Sequence, residues 1–350
     1  MNNPFTLTFG ALPDQFISRP ILFNRIFDDF ASPQPSSHSY MITGVRGSGK
    51  TVMLTEISES LRARADWITV ELNPELDLLD SLAAKLYNIE KIRPLFVKAK
   101  LNLSIGGSGA VFENDVPSIT SEVIIEKMLG VLAEHGKRLL ITVDEAVKNE
   151  YVKRFAHSYQ IFLRQNLPVY LVMTGLYENI YDLQNEKTLT FLYRVPRIVL
   201  EPLNTTAIAN TYAELFCIQA DEAAKMAKLT KGYPFAFQVL GYLRWENKKK
   251  SLDSIIPEYD HYLSDYIYEK IWHDLNDTDR RVVLELSALE EYVKIQTLRE
   301  SLNMTSSLFS TYREKLIRKG LVDVSRYGYI GLILPRFREF VIARSEIDSL

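Results

Sequence analysis

Gly44-Val45-Arg46-Gly47-Ser48-Gly49-Lys50-Thr51 is the stretch on which the reading of this chain turns. It fits the spacing G-x-x-x-x-G-K-[ST], and its flanks have the character that this spacing requires. Ser39-Tyr40-Met41-Ile42-Thr43 reads as a short buried strand leading in. Residues 52–64 read as a helix leading out, with Met53, Leu54, Ile57 and Leu61 on one face. Glycines let backbone N–H groups converge on a polyphosphate without side-chain obstruction, and the start of a helix adds the positive end of its dipole. Lys50 is therefore expected to reach the β and γ phosphates as a point charge, and the Thr51 hydroxyl to complete a Mg2+ shell. A plain flexible Gly/Ser loop would explain the glycines but not the strand, the lysine and the helix around them.

The rest of the composition bounds the answer without choosing it. At 350 residues the chain is too long for one small domain, and at 47% hydrophobic it can bury real cores. A formal net charge of -3 offers no global attraction to nucleic acid or anionic membrane, so any such contact must come from a local patch. Cys217 is the single cysteine, which excludes a disulfide within the chain; its neighbours Tyr212, Leu215 and Phe216 predict a helix facing a core. The first twenty residues carry Asp14 and no continuous apolar segment, and no run approaches eighteen apolar residues, which predicts a cytoplasmic protein with no membrane partner. The five histidines lie far apart, and none falls in an H-E-x-x-H or cysteine-paired pattern.

Along the chain, residues 1–37 read as irregular, ending in the breaker-rich connector Ser32-Pro33-Gln34-Pro35-Ser36-Ser37. Residues 67–72 predict a second strand and 76–87 a helix, so the sheet is being built by crossovers. Leu101, Leu103 and Ile105 alternate with polar residues before Gly106-Gly107-Ser108-Gly109, which predicts a hairpin inserted near 98–114. No lysine and no clear helix follow this second glycine cluster, so a hairpin turn is preferred to a second phosphate loop. After a helix over 121–135 comes Leu139-Leu140-Ile141-Thr142-Val143-Asp144-Glu145, an apolar run ending in two carboxylates, as in a buried parallel strand whose tip faces a nucleotide. Asp144 is expected to hold Mg2+ and Glu145 to polarise the water that attacks the γ-phosphate. Alone, the two acids would be read as capping the next helix; the loop upstream favours the metal and the base. Residues 168–175 give another strand, whose Thr174 either bonds the water or γ-phosphate or is a turn hydroxyl. Arg194, just before a strand over 197–200, presents a guanidinium to transition-state charge or forms a surface ion pair.

From Asn204 the pattern turns helical, with Gly232-Tyr233-Pro234 interrupting two helices. From Thr278 the reading is helix to Glu290, an extended piece over 292–295, helices over 297–302 and 306–320, then extended pieces over 321–324 and 330–334 around a turn at Tyr327-Gly328. Three helices followed by a two-stranded ribbon make a winged helix. Its candidate recognition helix carries Arg313, Lys315, Arg318 and Lys319, with Arg326 on the wing and Leu308, Tyr312 and Leu316 expected to pack inward.

Taken in order, the loop 44–51, the strand with Asp144-Glu145, the strand ending in Thr174 and the Gly232-Tyr233-Pro234 turn resemble the AAA+ and STAND branch of P-loop ATPases, close to the ATPases related to replication-origin-recognition proteins. The resemblance implies an α/β fold: a P-loop parallel sheet of the ASCE/AAA+ type, a helical lid and a C-terminal winged helix. The expected boundaries are an N-terminal extension over 1–37, the ATPase core over 38–202, the lid over 203–275 and the winged-helix domain over 276–350. It implies ATP and Mg2+ as cofactors, with Gly44, Val45, Arg46, Gly47, Ser48, Gly49, Lys50, Thr51 and Pro234 on the nucleotide, and Thr51 and Asp144 on the metal. Glu145, Thr174 and Arg194 then act in hydrolysis. Where the family has a Gly-Arg pair seating adenine, this chain has Ser18-Arg19-Pro20-Ile21-Leu22, and Arg244 is the nearest candidate for the lid's second-sensor arginine. The implied activity is slow ATP hydrolysis in a molecular switch that couples nucleotide state to lid and winged-helix position. The alternative is a DNA-binding regulator or replication-initiator-like protein in which nucleotide is mainly structural. A kinase-like phosphotransferase fits less well, since it would lack the second carboxylate and leave the winged helix without a purpose. Implied partners are ATP and ADP, DNA or protein through the winged helix, and further copies of the chain in a nucleotide-dependent oligomer.

Overall fold

Strands that read as unbroken apolar runs form the middle of a parallel sheet in the computed structural model, which describes residues 2–8, 13–99, 101, 103–106, 109–112 and 120–348. The chain divides into two units, one of Arg19–Thr43 with Lys50–Val199 and one of Met1–Ser18, Gly44–Gly49 and Leu200–Leu350.

The first unit opens with α1 (Pro20–Ala31), then β1 (Ser39–Thr43), α2 (Lys50–Arg62), β2 (Trp67–Leu72), α3 (Leu78–Tyr87) and α4 (Arg93–Lys98). The hairpin β3 (Leu103–Gly106) and β4 (Gly109–Phe112) follows, with Gly106 opposite Gly109; Gly107 and Ser108 lie outside the described residues. Next come α5 (Ser121–Glu134), β5 (Arg138–Val143), α6 (Glu150–Arg164), β6 (Val169–Gly175), α7 (Tyr177–Gln184), a 3-10 turn over Leu192–Arg194 and β7 (Arg197–Val199). The five strands run in the order β2-β5-β6-β1-β7, all neighbours parallel. β1 and β6 are buried at every position, whereas the edge strands β2 and β7 are mixed, as expected for strands covered on both faces against strands at a rim. Leu139, Ile141, Val143, Leu171 and Met173 share one apolar core with Leu82, Leu86, Ile125, Met128, Phe155 and Tyr159 from α3, α5 and α6. Helix starts are set by short polar side chains: Asp77 accepts from the Leu79 and Asp80 amides, and Asn149 from the Val152 amide.

One expectation fails here. The expected irregular stretch 1–37 is interrupted by α1 over Pro20–Ala31. Proline at its first turn fits the helix N-terminus, and Phe23, Ile26, Phe27 and Phe30 recur at helical spacing. Phe30 is buried against the rings of Tyr40, Trp67 and Tyr170. The connector after α1 is fastened by Asp29, whose carboxylate accepts from the amides of Ser36 and Ser37 and from the Tyr40 hydroxyl.

The second unit is built from α8 (Thr205–Phe216), α9 (Ala220–Thr230), α10 (Pro234–Glu246), α11 (Leu252–Leu263), a π-helical turn over Ser264–Tyr268 and α12 (Glu269–His273). It continues with α13 (Asp277–Ala288), β8 (Tyr292–Lys294), α14 (Ile295–Ser301), α15 (Ser306–Arg318), β9 (Val322–Asp323), β10 (Tyr329–Leu332) and α16 (Phe337–Asp348). The antiparallel sheet of its C-terminal part has three strands in the order β8-β10-β9, so the extended piece at 292–295 joins the expected ribbon as a third strand. A single hydrophobic cluster runs from Phe5 through the helices of residues 205–273 to Val341. α8 faces the core through Ile208, Tyr212, Leu215 and Phe216, as expected, and ends at Phe216; Cys217 after it takes a left-handed conformation (φ 52°) and is exposed. Among the described residues no helix is long and apolar enough to cross a membrane.

Candidate nucleotide-binding site

The strand order is what brings the first group of residues together. β6 lies between β1, which leads into the loop, and β5, which leads into Asp144, so a side chain at the tip of β6 falls between the two. Thr174 occupies that tip, level with Ile42 of β1, and is fully buried. Its hydroxyl donates to Asp144 Oδ1, and the Thr51 hydroxyl on the first turn of α2 donates to Asp144 Oδ2 at 2.6 Å. The Glu145 amide adds bonds to Asp144 Oδ1 at 3.0 Å and to Thr174 Oγ1 at 3.3 Å, while the Ala146 amide donates to the Thr174 carbonyl at 2.7 Å. The carboxylate is thus aimed by donors on both oxygens. Lys50, the first residue of α2, is buried.

Two expected residues stand apart from this cluster. Glu145 joins it only through its backbone; its side chain is exposed, and its φ of 52° places a non-glycine residue in the left-handed region, where the chain turns sharply off β5. Arg194 is exposed in the 3-10 turn before β7, and no hydrogen bond among the described residues links it to Asp144 or Thr174. No group of three His, Cys, Asp or Glu side chains that could form a metal cage occurs among the described residues. One carboxylate and one hydroxyl at 2.6 Å instead suit a hard cation that takes its remaining oxygens from phosphate and water, so the donor set fits Mg2+.

In the second unit, residues Gly44–Gly49 lie along the start of α10. Pro234 is the first residue of that helix, and a Cβ on Gly49 would meet its ring at 3.9 Å, ordinary van der Waals contact. On either side of Pro234, the Tyr233 hydroxyl donates to the Arg46 carbonyl at 2.5 Å and the Phe235 amide donates to the Gly47 carbonyl at 3.2 Å. The sequence marks the Gly-Tyr-Pro turn but gives no sign of these two bonds, since nothing local links position 233 to position 46. Gly44 is also close-packed: a Cβ there would lie 2.4 Å from Ser48 Oγ.

Three further expectations are revised. Arg244 is engaged within its own surroundings, donating to Glu222 at 3.1 Å and to the carbonyls of Lys248 and Lys250 at 3.1 and 2.9 Å, so it serves to close the turn after α10. On α15 Leu316 is buried and Tyr312 packs against the core as expected, whereas Leu308 is 46% exposed and Phe309 takes the inward place beside it. Lys315 pairs at 2.5 Å with Asp279, a carboxylate with no exposed surface, and Arg318 pairs at 3.6 Å with Glu314.

Residues 265–341 match a family model described as a domain of unknown function (DUF8462). No curated protein sequence matches the chain. Among solved structures, the Walker-type ATPase PABY2304 of Pyrococcus abyssi is similar at a TM-score of 0.65 and 14% identity, over 94% of this chain and 96% of that one. The ORC2 protein of Aeropyrum pernix, solved as ADPNP-ADP complexes, is similar at 0.58 and 13% identity, over 97% and 98%. Cdc6p of Pyrobaculum aerophilum is similar at 0.51 and 14% identity, over 98% and 97%. A parallel sheet with the loop strand and the Asp144 strand separated by a third, followed by helices and a C-terminal antiparallel sheet, is the fold that this chain shares end to end with these three structures.

Proposed function

We propose that the chain binds ATP with Mg2+ through residues 44–51 and hydrolyses it slowly, as a switch of the AAA+/STAND class whose nucleotide state is coupled to the lid over 203–275 and the winged helix over 276–350. The observation that carries this reading is the pair of hydroxyls, Thr51 on the first turn of α2 and Thr174 at the tip of β6, on the two oxygens of Asp144. Thr51 and Asp144 would hold the cation, which supplies charge neutralisation at the β and γ phosphates when bound. Lys50 would hold the terminal phosphates, Glu145 would orient and polarise the attacking water, and Thr174 would hold Asp144 in place. Arg194, exposed on its turn, would meet transition-state charge, from within the chain or from a neighbouring copy in a nucleotide-dependent oligomer.

The α-β-α-α-β-β order from α13 to β10 supports a winged helix, which would meet DNA or protein. At its wing, Arg326 lies 4.0 Å over the Tyr329 ring and Tyr327 is 99% exposed, whereas Lys315 and Arg318 on α15 are already in ion pairs. That leaves the initiator-like alternative resting on the wing; binding of duplex DNA that weakens steeply with salt would favour it, and none at low salt would remove it.

Titration calorimetry with Mg·ATP tests the main reading. Wild type should bind, and Lys50→Ala should lose at least about a hundredfold in affinity, since two or more charge-assisted bonds of about 1.5–3 kcal/mol each are removed. Absence of heat from wild type at millimolar nucleotide would refute it.

A further inference from the structure

Gly47 occupies one of the variable positions of the G-x-x-x-x-G-K-[ST] pattern, so phosphate binding alone does not ask for a glycine there. The structure does ask for one. A Cβ at position 47 would lie 2.3 Å from the Tyr233 hydroxyl oxygen and 2.9 Å from its Cζ, and the residue's φ is +73°. The space a side chain would take is filled by a tyrosine from the turn before α10.

That tyrosine holds the loop by its backbone. Its hydroxyl donates to the Arg46 carbonyl at 2.5 Å, and two residues on, the Phe235 amide donates to the Gly47 carbonyl at 3.2 Å. Phe235 lies in the first turn of α10, where amides have no partner within the helix, and Pro234 beside it has no N–H to offer. The loop carbonyl therefore satisfies an amide that the helix leaves over. Tyr233 is 5% exposed, and burial raises the pKa of its phenol well above the ordinary value, which keeps it an O–H donor. The turn that carries it cannot readily shift. Gly232 has a φ of +73°, a Cβ there would come within 2.5 Å of the Leu203 carbonyl, and the Leu203 and Tyr233 amides donate to Gly232 and Thr230 at 2.7 and 2.8 Å.

Because a trans peptide is planar, its C=O and N–H point in opposite directions. Fixing the carbonyls of Arg46 and Gly47 thereby fixes the planes that carry the amides of Gly47 and Ser48, which belong to the phosphate loop. We propose that Tyr233 is a positioning residue for nucleotide binding: its hydroxyl, with the Phe235 amide, sets the orientation of the loop peptides at 46–48 and makes the affinity for a nucleoside triphosphate depend on the Gly-Tyr-Pro turn. This inference rests on the nucleotide reading above.

Tyr233→Phe removes one oxygen and keeps the ring in the core. In the full chain it should weaken Mg·ATP binding by about fivefold to tenfold by calorimetry, the scale of one buried hydrogen bond. It should also speed hydrogen exchange of the amides at 45–49 in the nucleotide-free protein. Tyr212→Phe is the control, since Tyr212 donates to the Phe237 carbonyl at 2.8 Å in the same core without touching the loop. It should lower Tm without moving affinity or loop exchange. Unchanged affinity and exchange in Tyr233→Phe, or equal changes in Tyr212→Phe, would overturn the role of Tyr233. A wild-type chain that binds no Mg·ATP would instead overturn the nucleotide reading, and the two failures are told apart by the wild-type titration.

Discussion

At position 144 the structure supplies a reason for a residue that the sequence leaves open. Thr174 reads equally as a turn hydroxyl or as a ligand to water or phosphate, yet it is fully buried and donates to Asp144 Oδ1. Its place beside Asp144 follows from strand order and not from its own neighbours, so no local pattern could have given it. If it positions the carboxylate, Thr174→Val, which keeps the shape and removes the hydroxyl, should lower the hydrolysis rate about tenfold while Mg·ATP affinity stays near wild type. Glu145→Gln should leave binding intact and stop hydrolysis, because the exposed carboxylate contributes no bond to the ground-state cluster. Single-turnover kinetics alongside calorimetry separate the two effects. Continued hydrolysis in Glu145→Gln would remove Glu145 as the base, and a parallel loss of binding in Thr174→Val would make Thr174 a binding group and not a positioning one.

At the scale of elements, the strands that the site needs were legible because each is a short apolar run bounded by turn residues. β1, β5 and β6 fall where the pattern places them, and Asp144 and Thr174 stand at the tips of the last two. What escaped were elements whose signal depends on partners elsewhere. α1 carries apolar residues at helical spacing, but that Phe30 belongs to the core follows only from its contacts with Trp67 and Tyr170, far along the chain. The extended piece at 292–295 is read from the sequence, but its place as a third strand, β8, follows only from its pairing with β10. α1 also carries a pH-dependent contact. Burial pushes the Asp29 carboxyl up, but bonds from Ser36, Tyr40 and Ser37 outweigh it and hold the group below its ordinary 3.8. A carboxyl depressed in the folded state contributes stability above its unfolded value, and that contribution is lost as pH falls through the folded one. Asp29→Asn should therefore lower Tm at neutral pH, with the difference from wild type narrowing below about pH 4. A gap that stays constant down to pH 2.5 in thermal scans would show that the carboxylate's charge is not what fastens the connector.

For the molecule as a whole, the expected boundary near residue 275 separates two regions that share one core. Tyr268, in the π-helical turn, packs its ring 5.0 Å from Phe337 of α16 and donates its hydroxyl to the Pro335 carbonyl. Arg336 holds Asp260 of α11 through two bonds at 2.7 and 2.5 Å, and the Asp260 partner keeps its guanidinium firmly charged. The hydrophobic cluster continues without a break from Tyr233 and Phe237 to Phe337 and Val341. If the chain acts as the switch proposed above, this shared core would make the helices of 205–273 and the C-terminal sheet move together. Phe337→Ala, which removes a fully buried ring from the shared core, should cost about 3–5 kcal/mol. If the region unfolds as one body, the loss appears equally in the hydrogen exchange of α10 amides and of α13 amides. Loosening confined to residues 277–348, with α10 protected as in wild type, would show instead that the C-terminal region opens on its own and that the lid can respond to nucleotide without it.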